Sequence, residues 1–278
     1  MSLTRYAILP VPKSLKRDVE CVRIVECTID VTVAIKVMPL GVPGIVFQHN
    51  NGQSAIEQIT ITPSGHTIHV PPLFLYGAGI EPSIMRYKRG SFTTTQVIFK
   101  PHALKSLLGL NASRLSNTWT DLHEFSAGDL GSQLFDARNE QELLTVLSSF
   151  LLSRLNQGQP RDRAIEESLR LIHNNVASIH VKDLLAYLNL SKRQFERRFT
   201  RTVGLSPHQY IRVKRFNEAI RLIKSGQFER LTDVAAALNF SDQSHFIRDI
   251  KAFTGMTPKS LSQKVADFQN DQAGFSYI

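Results

Sequence analysis

Six polar side chains stand at helical spacing in two short basic stretches of this sequence. They are Arg193, Glu196, Arg197, Gln243, Ser244 and Arg248. Residues three or four apart share one face of an α-helix, so each stretch would present one polar face. Arginine can pair with guanine and glutamine with adenine, and glutamate can accept a hydrogen bond from the cytosine amino group. These residue types therefore support hydrogen bonding to base edges in the major groove of duplex DNA.

Further basic residues flank these candidates for base contacts. Three of them are predicted to contact phosphates, which position a protein on DNA without reading its sequence; they are Lys192, Arg201 and Lys251. For Glu196 two interpretations stay open, a contact with cytosine and an ion pair with a neighbouring arginine. Three cations between the two stretches have either a phosphate-facing or a solvated role; they are Arg212, Lys214 and Arg215.

The two stretches belong to a repeated unit. NLSKRQFERRFTRTVGLSP begins at Asn189, and NFSDQSHFIRDIKAFTGMTP begins at Asn239. Each unit reads as a short helix, a tight turn and a second helix, and Asn tolerates the positive φ that such a turn requires. Ser191 is a natural N-cap. Phe195 and Phe199 lie four residues apart, so both are predicted to face the core.

In the second unit, Phe246, Ile250 and Phe253 are predicted to point inward. A short helix, a tight turn and a second helix with a basic outer face describe a helix-turn-helix, whose second helix fits the major groove. One such pattern also fits an ordinary helical hairpin with a solvated face. Two in tandem, each followed by a Ser-Pro or Thr-Pro helix start at Ser206 and Thr257, are more specific.

The excess positive charge lies in the same segment as the repeat. The chain has 278 residues and a formal net charge of +9. Residues 161–266 hold 19 Lys and Arg against 10 Asp and Glu, an excess of +9 that leaves the rest of the chain neutral. A solvated basic surface would have this composition, and so would a surface that binds phosphates and releases counterions. Together with the repeat, the charge favours duplex DNA as a partner.

Length and composition are typical of a globular protein with two domains. Strand patterns in the first half and helical patterns in the second predict an α+β fold. The two cysteines, Cys21 and Cys27, are too few for a disulfide framework or a four-ligand zinc site, so free thiols in a reducing compartment are predicted. No apolar run is long enough for a membrane span, and the first residues do not fit a secretory signal. We expect a cytoplasmic protein without a cofactor, associated with the nucleoid when bound to DNA.

Residues 1–157 are predicted to form a β-rich regulatory domain, an antiparallel barrel or sandwich with flanking helices. Short Val- and Ile-rich runs alternate with Pro-Gly, Asn-Asn-Gly and Pro-Ser-Gly turn signals. TTTQVIFK (93–100) is predicted to be a strand, and PHALKSLLGL a short helix from Pro101 to Gly109. The Leu-rich helix near residues 140–155 is either a dimer seam or packs on its own barrel.

The polar segment NQGQPRD, residues 156–162, is predicted to be the linker to an all-α half. The DNA-binding domain is placed at residues 162–265. Its helix-turn-helix modules are expected at about residues 181–200 and 231–252. The tail, residues 266–278, has no clear pattern.

Residues 165–262 resemble the DNA-binding part of the AraC/XylS family of transcription regulators. The resemblance is carried by LNLSKRQFERRFTRTVGLSPHQYI and, more diagnostically, by LTDVAAALNFSDQSHFIRDIKAFTGMTP. It implies two homeodomain-like modules joined by a long helix, here HQYIRVKRFNEAIRLI, with one recognition helix in each of two successive major grooves. It also implies activation of transcription through contact with RNA polymerase.

The sequence departs from the family pattern at several positions. Asn189 and Asn239 stand where the family usually has Gly, Leu185 stands where a small residue is usual, and Ile250 replaces a usual Phe. The stretch TPKSLSQK lacks the Tyr-Arg often found there. These differences are expected to alter packing and stability rather than the class of protein.

The resemblance further implies a cupin-like N-terminal domain that senses a small-molecule effector. MPLGVPGIVF and LYGAGIEPSIMRY carry a looser resemblance to the N-terminal domain of one large regulator subgroup. Three aromatic residues are candidates for lining an effector pocket, with plain core packing as the alternative; they are Tyr76, Tyr87 and Trp119.

Three histidines and one carboxylate are candidates for a metal site of the barrel type; they are His49, His66, His69 and Glu81. His66 and His69 are three residues apart, so on one strand they would point to opposite faces unless a bulge intervened. No metal site is therefore predicted.

The predicted function is a sequence-specific transcription regulator, an activator and not an enzyme. The alternative is an enzyme fused to a DNA-binding module, either a DNA-repair methyltransferase or a metal-dependent cupin. The first would need a thiolate acceptor and a four-cysteine zinc site, and the second would need the histidine cluster. Expected partners are duplex DNA, RNA polymerase, a small-molecule effector and a second copy in a homodimer, with no membrane.

Overall fold

A computed structural model describes residues 2–62, 64–125, 127–157, 160–228, 230–264 and 275–277. Strands dominate up to Asp121 and helices dominate from Glu140 onward. This confirms the predicted α+β class, with a β-rich N-terminal half and an all-α C-terminal half.

The N-terminal half contains two antiparallel sheets that face each other. Its strands are β1 (Ser2–Leu9), β2 (Val19–Ile29), β3 (Val33–Val37), β4 (Gly44–His49), β5 (Ile56–Ile61), β6 (Thr67–Ile68), β7 (Leu73–Tyr76), β8 (Ser83–Tyr87), β9 (Gly90–Phe99) and β10 (Trp119–Asp121). A further strand, β11 (Phe275–Tyr277), comes from the end of the chain. The sheet orders are β1-β2-β9-β4-β7-β10 and β11-β3-β8-β5-β6. The predicted sandwich is therefore present.

The space between the sheets is filled from both inner faces. Val46 and Phe74 of the six-stranded sheet share a buried cluster with Ile35, Ile59 and Met85 of the five-stranded sheet. Side chains of a strand alternate between its two faces, which is why Ile59 and Ile61 of β5 are both buried. A register shift between Ile56 and Gln58 allows Ile56 to be buried as well, three residues before Ile59.

Three helices cover the outer face of the six-stranded sheet: α1 (Ala103–Leu108), α2 (Leu130–Asp136) and α3 (Glu140–Asn156). Leu144, Leu147 and Leu151 of α3 are buried against this sheet and its helices. The structure thus favours packing on its own barrel for this Leu-rich helix. Helix α1 ends at Gly109 with φ of 66°, as predicted, but begins two residues after Pro101.

The C-terminal half consists of seven helices among the described residues. They are α4 (Arg163–Asn174), α5 (Val181–Leu188), α6 (Lys192–Val203), α7 (Pro207–Ser225), α8 (Leu231–Ala237), α9 (Gln243–Thr254) and α10 (Pro258–Lys264). Helices α5 and α6 form the first module and α8 and α9 the second, with α7 as the joining helix. Ser206 caps α7 by accepting from the Gln209 amide at 3.2 Å, as the Ser-Pro start predicts.

Residues 275–277 of the predicted tail form a strand. Strand β11 pairs antiparallel with β3, with Ser276 opposite Lys36. The rest of the predicted tail up to residue 274 lies outside the described residues.

Two findings bear on the expectations from composition. Cys21 and Cys27 are free thiols, as predicted, and burial raises the pKa of Cys27 to about 11. None of the described helices is both long enough and apolar enough to cross a membrane.

Candidate nucleic-acid interface

The first module has the local geometry of a helix-turn-helix. Asn189 ends α5 with φ of 50° and ψ of 45°, the left-handed conformation that the tight turn requires. Ser191 then caps α6 by accepting from the Gln194 amide, and the Gln194 side chain accepts from the Ser191 amide in return. Phe195 and Phe199 are fully buried, with ring centroids 5.5 Å apart. The predicted turn, cap and inner face are all present.

The second module repeats this geometry with a different cap. Asn239 again has φ of 50°. The Asp242 carboxylate, rather than a serine, accepts from the His245 amide at 2.7 Å and caps α9. Phe246 and Ile250 are buried, as predicted, so the Ile in place of the family's usual Phe still fills the core.

The six candidates for base contacts lie on the outer faces of α6 and α9. Five of them are exposed and Glu196 is half-buried. In the part of the chain that the structure describes, none of the six forms a side-chain hydrogen bond or ion pair with another side chain, and so Glu196 has no arginine partner there. The candidates for phosphate contacts are exposed as well; they are Lys192, Arg201 and Lys251. Both faces are thus available to a ligand.

The three cations of the joining helix make contacts with protein that neither predicted role included. Arg212 donates from Nε to the buried Asp249 carboxylate of α9 at 2.8 Å and lies over the Phe253 ring, 4.9 Å from its centroid. Lys214 donates to a backbone carbonyl of the N-terminal half at 3.3 Å. Arg215 lies over the Phe240 ring at 5.8 Å. Because α7 passes between both modules and the N-terminal half, Lys214 and Arg215 are half-buried, whereas Arg212 keeps 43% of its side chain exposed.

Burial lowers the pKa of two basic side chains of the joining helix. Lys214 has no carboxylate partner among the described residues, and desolvation lowers its pKa to about 8. Burial also lowers the pKa of Arg215, partly offset by Asp249. Both shifts follow from the position of α7 inside the molecule.

The last two residues of the predicted linker form ion pairs, one with each half of the chain. The Asp162 carboxylate accepts two hydrogen bonds from Arg198 of α6, at 2.9 and 2.6 Å. The Arg161 guanidinium pairs with the fully buried Asp18 of the N-terminal half. Sequence reasoning missed these contacts because the partners lie 36 and 143 residues apart.

The Asp18 carboxylate is held in its charged form. Burial opposes ionisation, but hydrogen bonds from His102, Arg161 and Ser106 outweigh it and hold the pKa of Asp18 well below its usual range. Burial likewise opposes ionisation of Asp162, and the Arg198 hydrogen bonds lower the pKa of that carboxyl. Charged pairs therefore connect the N-terminal half to the start of the DNA-binding half.

The three aromatic candidates for an effector pocket do lie together. Tyr76, Tyr87 and Trp119 line one cavity of about 90 Å³ between the two sheets. Gly44 leaves the space that Tyr76 occupies, since a Cβ on this glycine would lie too close to the Tyr76 hydroxyl. Burial raises the pKa of Tyr76 to about 12, so its hydroxyl stays protonated.

Polar groups of this cavity escaped sequence reasoning. Gln96 donates to the Tyr76 hydroxyl at 2.7 Å. The hydroxyls of Thr94 and Thr118 are buried and have no hydrogen-bond partner among the described residues. Thr94 and Gln96 are two residues apart in the predicted strand and therefore share one of its faces. This spacing is the sequence pattern that could have indicated polar groups in the cavity.

The histidines considered as metal ligands do not converge. His49 is half-buried at the end of β4, and burial lowers its pKa. His66 and His69 are exposed at the opposite sheet. Within the described residues, no three His, Cys, Asp or Glu side chains lie close enough to hold a metal ion.

Two family descriptions match the chain. One described as "Helix-turn-helix domain" matches residues 184–264, and one described as a domain of unknown function matches residues 7–121. The first covers both modules, and the second covers most of the two-sheet half.

Among similar proteins, the probable transcriptional regulator LumQ of Photobacterium leiognathi is 31% identical over 159 residues, covering 57% of this chain and 53% of LumQ. The transcriptional regulator GbdR of Pseudomonas aeruginosa is 29% identical over 127 residues, covering 45% of this chain and 33% of GbdR. The chain thus spans about half of these relatives or less. ToxT from Vibrio cholerae superimposes with a TM-score of 0.49 at 12% identity, covering 87% of this chain and 97% of ToxT.

The tandem modules explain why the match to a helix-turn-helix domain extends over α5 to α10 rather than over one pair of helices. The relatives that share this segment are named as transcriptional regulators, which favours the regulator over a fused enzyme. Residues 184–264 therefore carry a helix-turn-helix domain similar to that of named transcriptional regulators, in agreement with the resemblance of this segment to the AraC/XylS family.

Proposed function

We propose that the chain is a sequence-specific DNA-binding protein that activates transcription in the cytoplasm. The observation that carries this proposal is the pair of recognition helices, α6 and α9, whose outer faces present exposed polar side chains without partners among the described residues. Arg193, Glu196 and Arg197 would read one major groove. Gln243, Ser244 and Arg248 would read the next one.

The charge distribution supports the same function. Lys192, Arg201 and Lys251 flank the two outer faces and would contact phosphates, which positions the helices without specifying bases. The segment 161–266 holds the whole net charge of the chain, +9. Association with DNA would therefore weaken as the salt concentration rises, because the release of counterions from the phosphates then gains less free energy.

The division of labour between the halves is also a proposal. Residues 1–157 would form the regulatory domain and residues 162–265 the DNA-binding domain, since α3 ends at Asn156 and α4 begins at Arg163. The cavity lined by Tyr76, Tyr87 and Trp119 would hold a small-molecule effector. A homodimer and a contact with RNA polymerase are expected from the family resemblance, and sedimentation of the purified protein with and without polymerase would test both.

The experiment compares three proteins in binding to a duplex selected by the wild type. Arg248→Ala should weaken binding by about 1–3 kcal/mol and relax base preference at one position. Arg138→Ala removes the same charge from an exposed site in the N-terminal half and serves as the control. A uniform loss on all duplexes for Arg248→Ala, with a shallower salt slope, would mean that Arg248 contacts only phosphate.

A further inference from the structure

A cleft of about 790 Å³ lies between the N-terminal half and helices α4 and α7 of the C-terminal half. It is distinct from the cavity of about 90 Å³ between the two sheets, although residues 38–42 border both. A volume of several hundred Å³ is typical of sites that hold small organic molecules. The cleft is therefore large enough for a reaction partner of one of its side chains.

Lys214 lines this cleft from the middle of α7. Its Nζ donates to the backbone carbonyl of Leu40 at 3.3 Å and lies 5.6 Å from the centroid of the Tyr210 ring. In the described part of the chain, no carboxylate forms an ion pair with this amine. The side chain is half-buried, so it is shielded from bulk water but can be reached from the cleft.

These surroundings favour the unprotonated amine. Desolvation lowers the pKa of Lys214 to about 8, and the negative charge of Glu20 offsets only part of the shift. At pH 7 about one tenth of such an amine is unprotonated, against roughly one part in 2,500 for a lysine with the ordinary pKa of about 10.4. Only the unprotonated amine attacks a carbonyl carbon, so Lys214 is a stronger nucleophile at this pH than an ordinary lysine.

Two neighbours leave Lys214 free to react. Asn217 Nδ2 donates to the same Leu40 carbonyl at 3.1 Å, so this carbonyl keeps a partner when the lysine nitrogen forms another bond. The Cys21 thiol lines the same cleft, but burial raises its pKa and keeps it protonated. A protonated thiol is a poor nucleophile, so it competes weakly with the amine.

The charges of the cleft favour an anion. Its lining contains two carboxylates, Glu20 and Glu166, and six Lys and Arg side chains; they are Arg17, Lys100, Arg170, Lys214, Arg221 and Lys224. All three arginines pair with glutamates. Lys100 has no ion-pair partner among the described residues, so it is available to an anionic group.

Apolar side chains form the rest of the lining that bears on a ligand. Val42, Phe216 and Ile220 supply apolar surface from both sides of the cleft. A cleft with an excess of one charge concentrates small ions of the opposite sign. The matching class of reaction partner is a small anionic aldehyde with an apolar body.

We propose that Lys214 is a covalent modification site at which aldehydes of this class form an imine. The unprotonated Nζ attacks the carbonyl carbon and forms a C–N bond, and transfer of a proton from nitrogen to oxygen gives a carbinolamine. Loss of the hydroxyl group as water breaks the C–O bond and leaves a C=N double bond. One amine and one aldehyde thus yield one imine and one water, with no oxidant or reductant. The reaction does not require DNA, so its test is independent of the proposed function.

The probe is 4-carboxybenzaldehyde, and its uncharged methyl ester is the matched comparison. Each is incubated with the full chain at pH 7, borohydride reduces the imine to a stable amine, and mass spectrometry of peptides locates the label. The α-amino group also has a pKa of about 8, so the label must be mapped and not only counted. We expect Lys214 to carry at least about five times more label than any other lysine. The acid should label it about threefold faster than the ester at low salt, and high salt should remove this difference.

Three variants separate the site from general lysine reactivity. Lys214→Arg keeps the positive charge and should abolish the label at this position. Lys182→Arg removes an exposed lysine of α5 and should leave the label at Lys214 unchanged. Lys100→Gln should reduce the preference for the acid over the ester. Thermal unfolding checks that each variant is folded.

The pH dependence tests the same site in the wild type, without any substitution. The rate of labelling at Lys214 should rise up to about pH 8 and then level off, whereas labelling of a lysine with the ordinary pKa of about 10.4 continues to rise. A label confined to the α-amino group or spread evenly over the lysines would overturn the proposal. So would a rate at Lys214 that keeps rising to pH 10. Equal rates for the acid and the ester at low salt would contradict the anionic class of the aldehyde.

Discussion

Replacing Asp249 by alanine should disturb the second recognition helix from the inside. Asp249 belongs to α9 but is only 4% exposed, and its carboxylate accepts from Nε of Arg212 on the joining helix at 2.8 Å. A second nitrogen of Arg212 lies 2.8 Å from the same oxygen, and the guanidinium covers the Phe253 ring. These contacts fix the rotation of α9 relative to α7. We therefore treat Asp249 as a positioning residue.

The magnitude follows from the exposure of the two partners. Hydrogen bonds between charged groups contribute about 1.5–3 kcal/mol. The Arg212 side chain stays 43% exposed, so water can solvate it once the carboxylate is gone, and the loss should be near the lower end. We expect Asp249→Ala to lower the free energy of unfolding by about 1.5–2 kcal/mol.

The direction of the change in DNA affinity distinguishes the loss of a negative charge from the loss of helix positioning. Removing a negative charge near a phosphate-binding surface would by itself strengthen association. If the carboxylate positions α9, Asp249→Ala should instead weaken specific binding by about 1 kcal/mol, roughly fivefold. Fluorescence anisotropy with a duplex selected by the wild type measures this change, and urea unfolding measures stability.

The joining helix offers a matched control. Glu218 pairs with Arg221 at 2.6 Å, but both side chains belong to α7, and they are 28% and 59% exposed respectively. Glu218→Ala likewise removes the carboxylate partner of an arginine. It should lower the free energy of unfolding by only about 0.2–0.5 kcal/mol. Equal losses of stability in the two variants would contradict a positioning role for Asp249, and so would binding of the selected duplex by Asp249→Ala as tightly as by the wild type.

Three further outcomes are expected. Asn189→Ala should lower stability by about 1 kcal/mol because φ is 50° at this position, while Asn189→Gly should not; equal losses in thermal unfolding would count against the turn geometry. Because the folded-state pKa of Asp18 is depressed, its stabilising effect is present above the ordinary aspartate pKa of about 3.9 and is lost as pH falls below it. Asp18→Asn should therefore be less stable at pH 7 and lose less on acidification, as acid titration of unfolding would reveal. Cys27, buried and with its pKa raised to about 11, should resist a thiol reagent at pH 8 until the protein unfolds, whereas fast labelling in the native state would contradict its burial.

Local chemistry made the two modules predictable. The positive φ of Asn189 and Asn239, the Ser191 cap and the buried pair Phe195 and Phe199 all follow from residues within one or two helical turns of each other. Patterns that span only one or two helical turns can be recognised from the sequence alone. Residue spacing of the same range also predicts the outward polar faces of α6 and α9.

Contacts between distant segments could not be predicted in this way. Arg212 was expected to meet phosphate or solvent, but its partner Asp249 lies 37 residues away on another helix. The partner of Arg161 lies 143 residues away. The cavity depends on how two sheets face each other, so Tyr76 and Trp119 could be named as candidates, while the hydroxyl of Thr118 became notable only through its burial.

The central claim is that both recognition helices read DNA. The most direct measurement is selection of bound sequences from a pool of random duplexes, with the purified full chain at physiological salt. We predict an enriched motif with two blocks separated by about 10 bp between centres, one for α6 and one for α9. The absence of any enriched motif, with weak binding to all duplexes that falls steeply as salt rises, would contradict the claim.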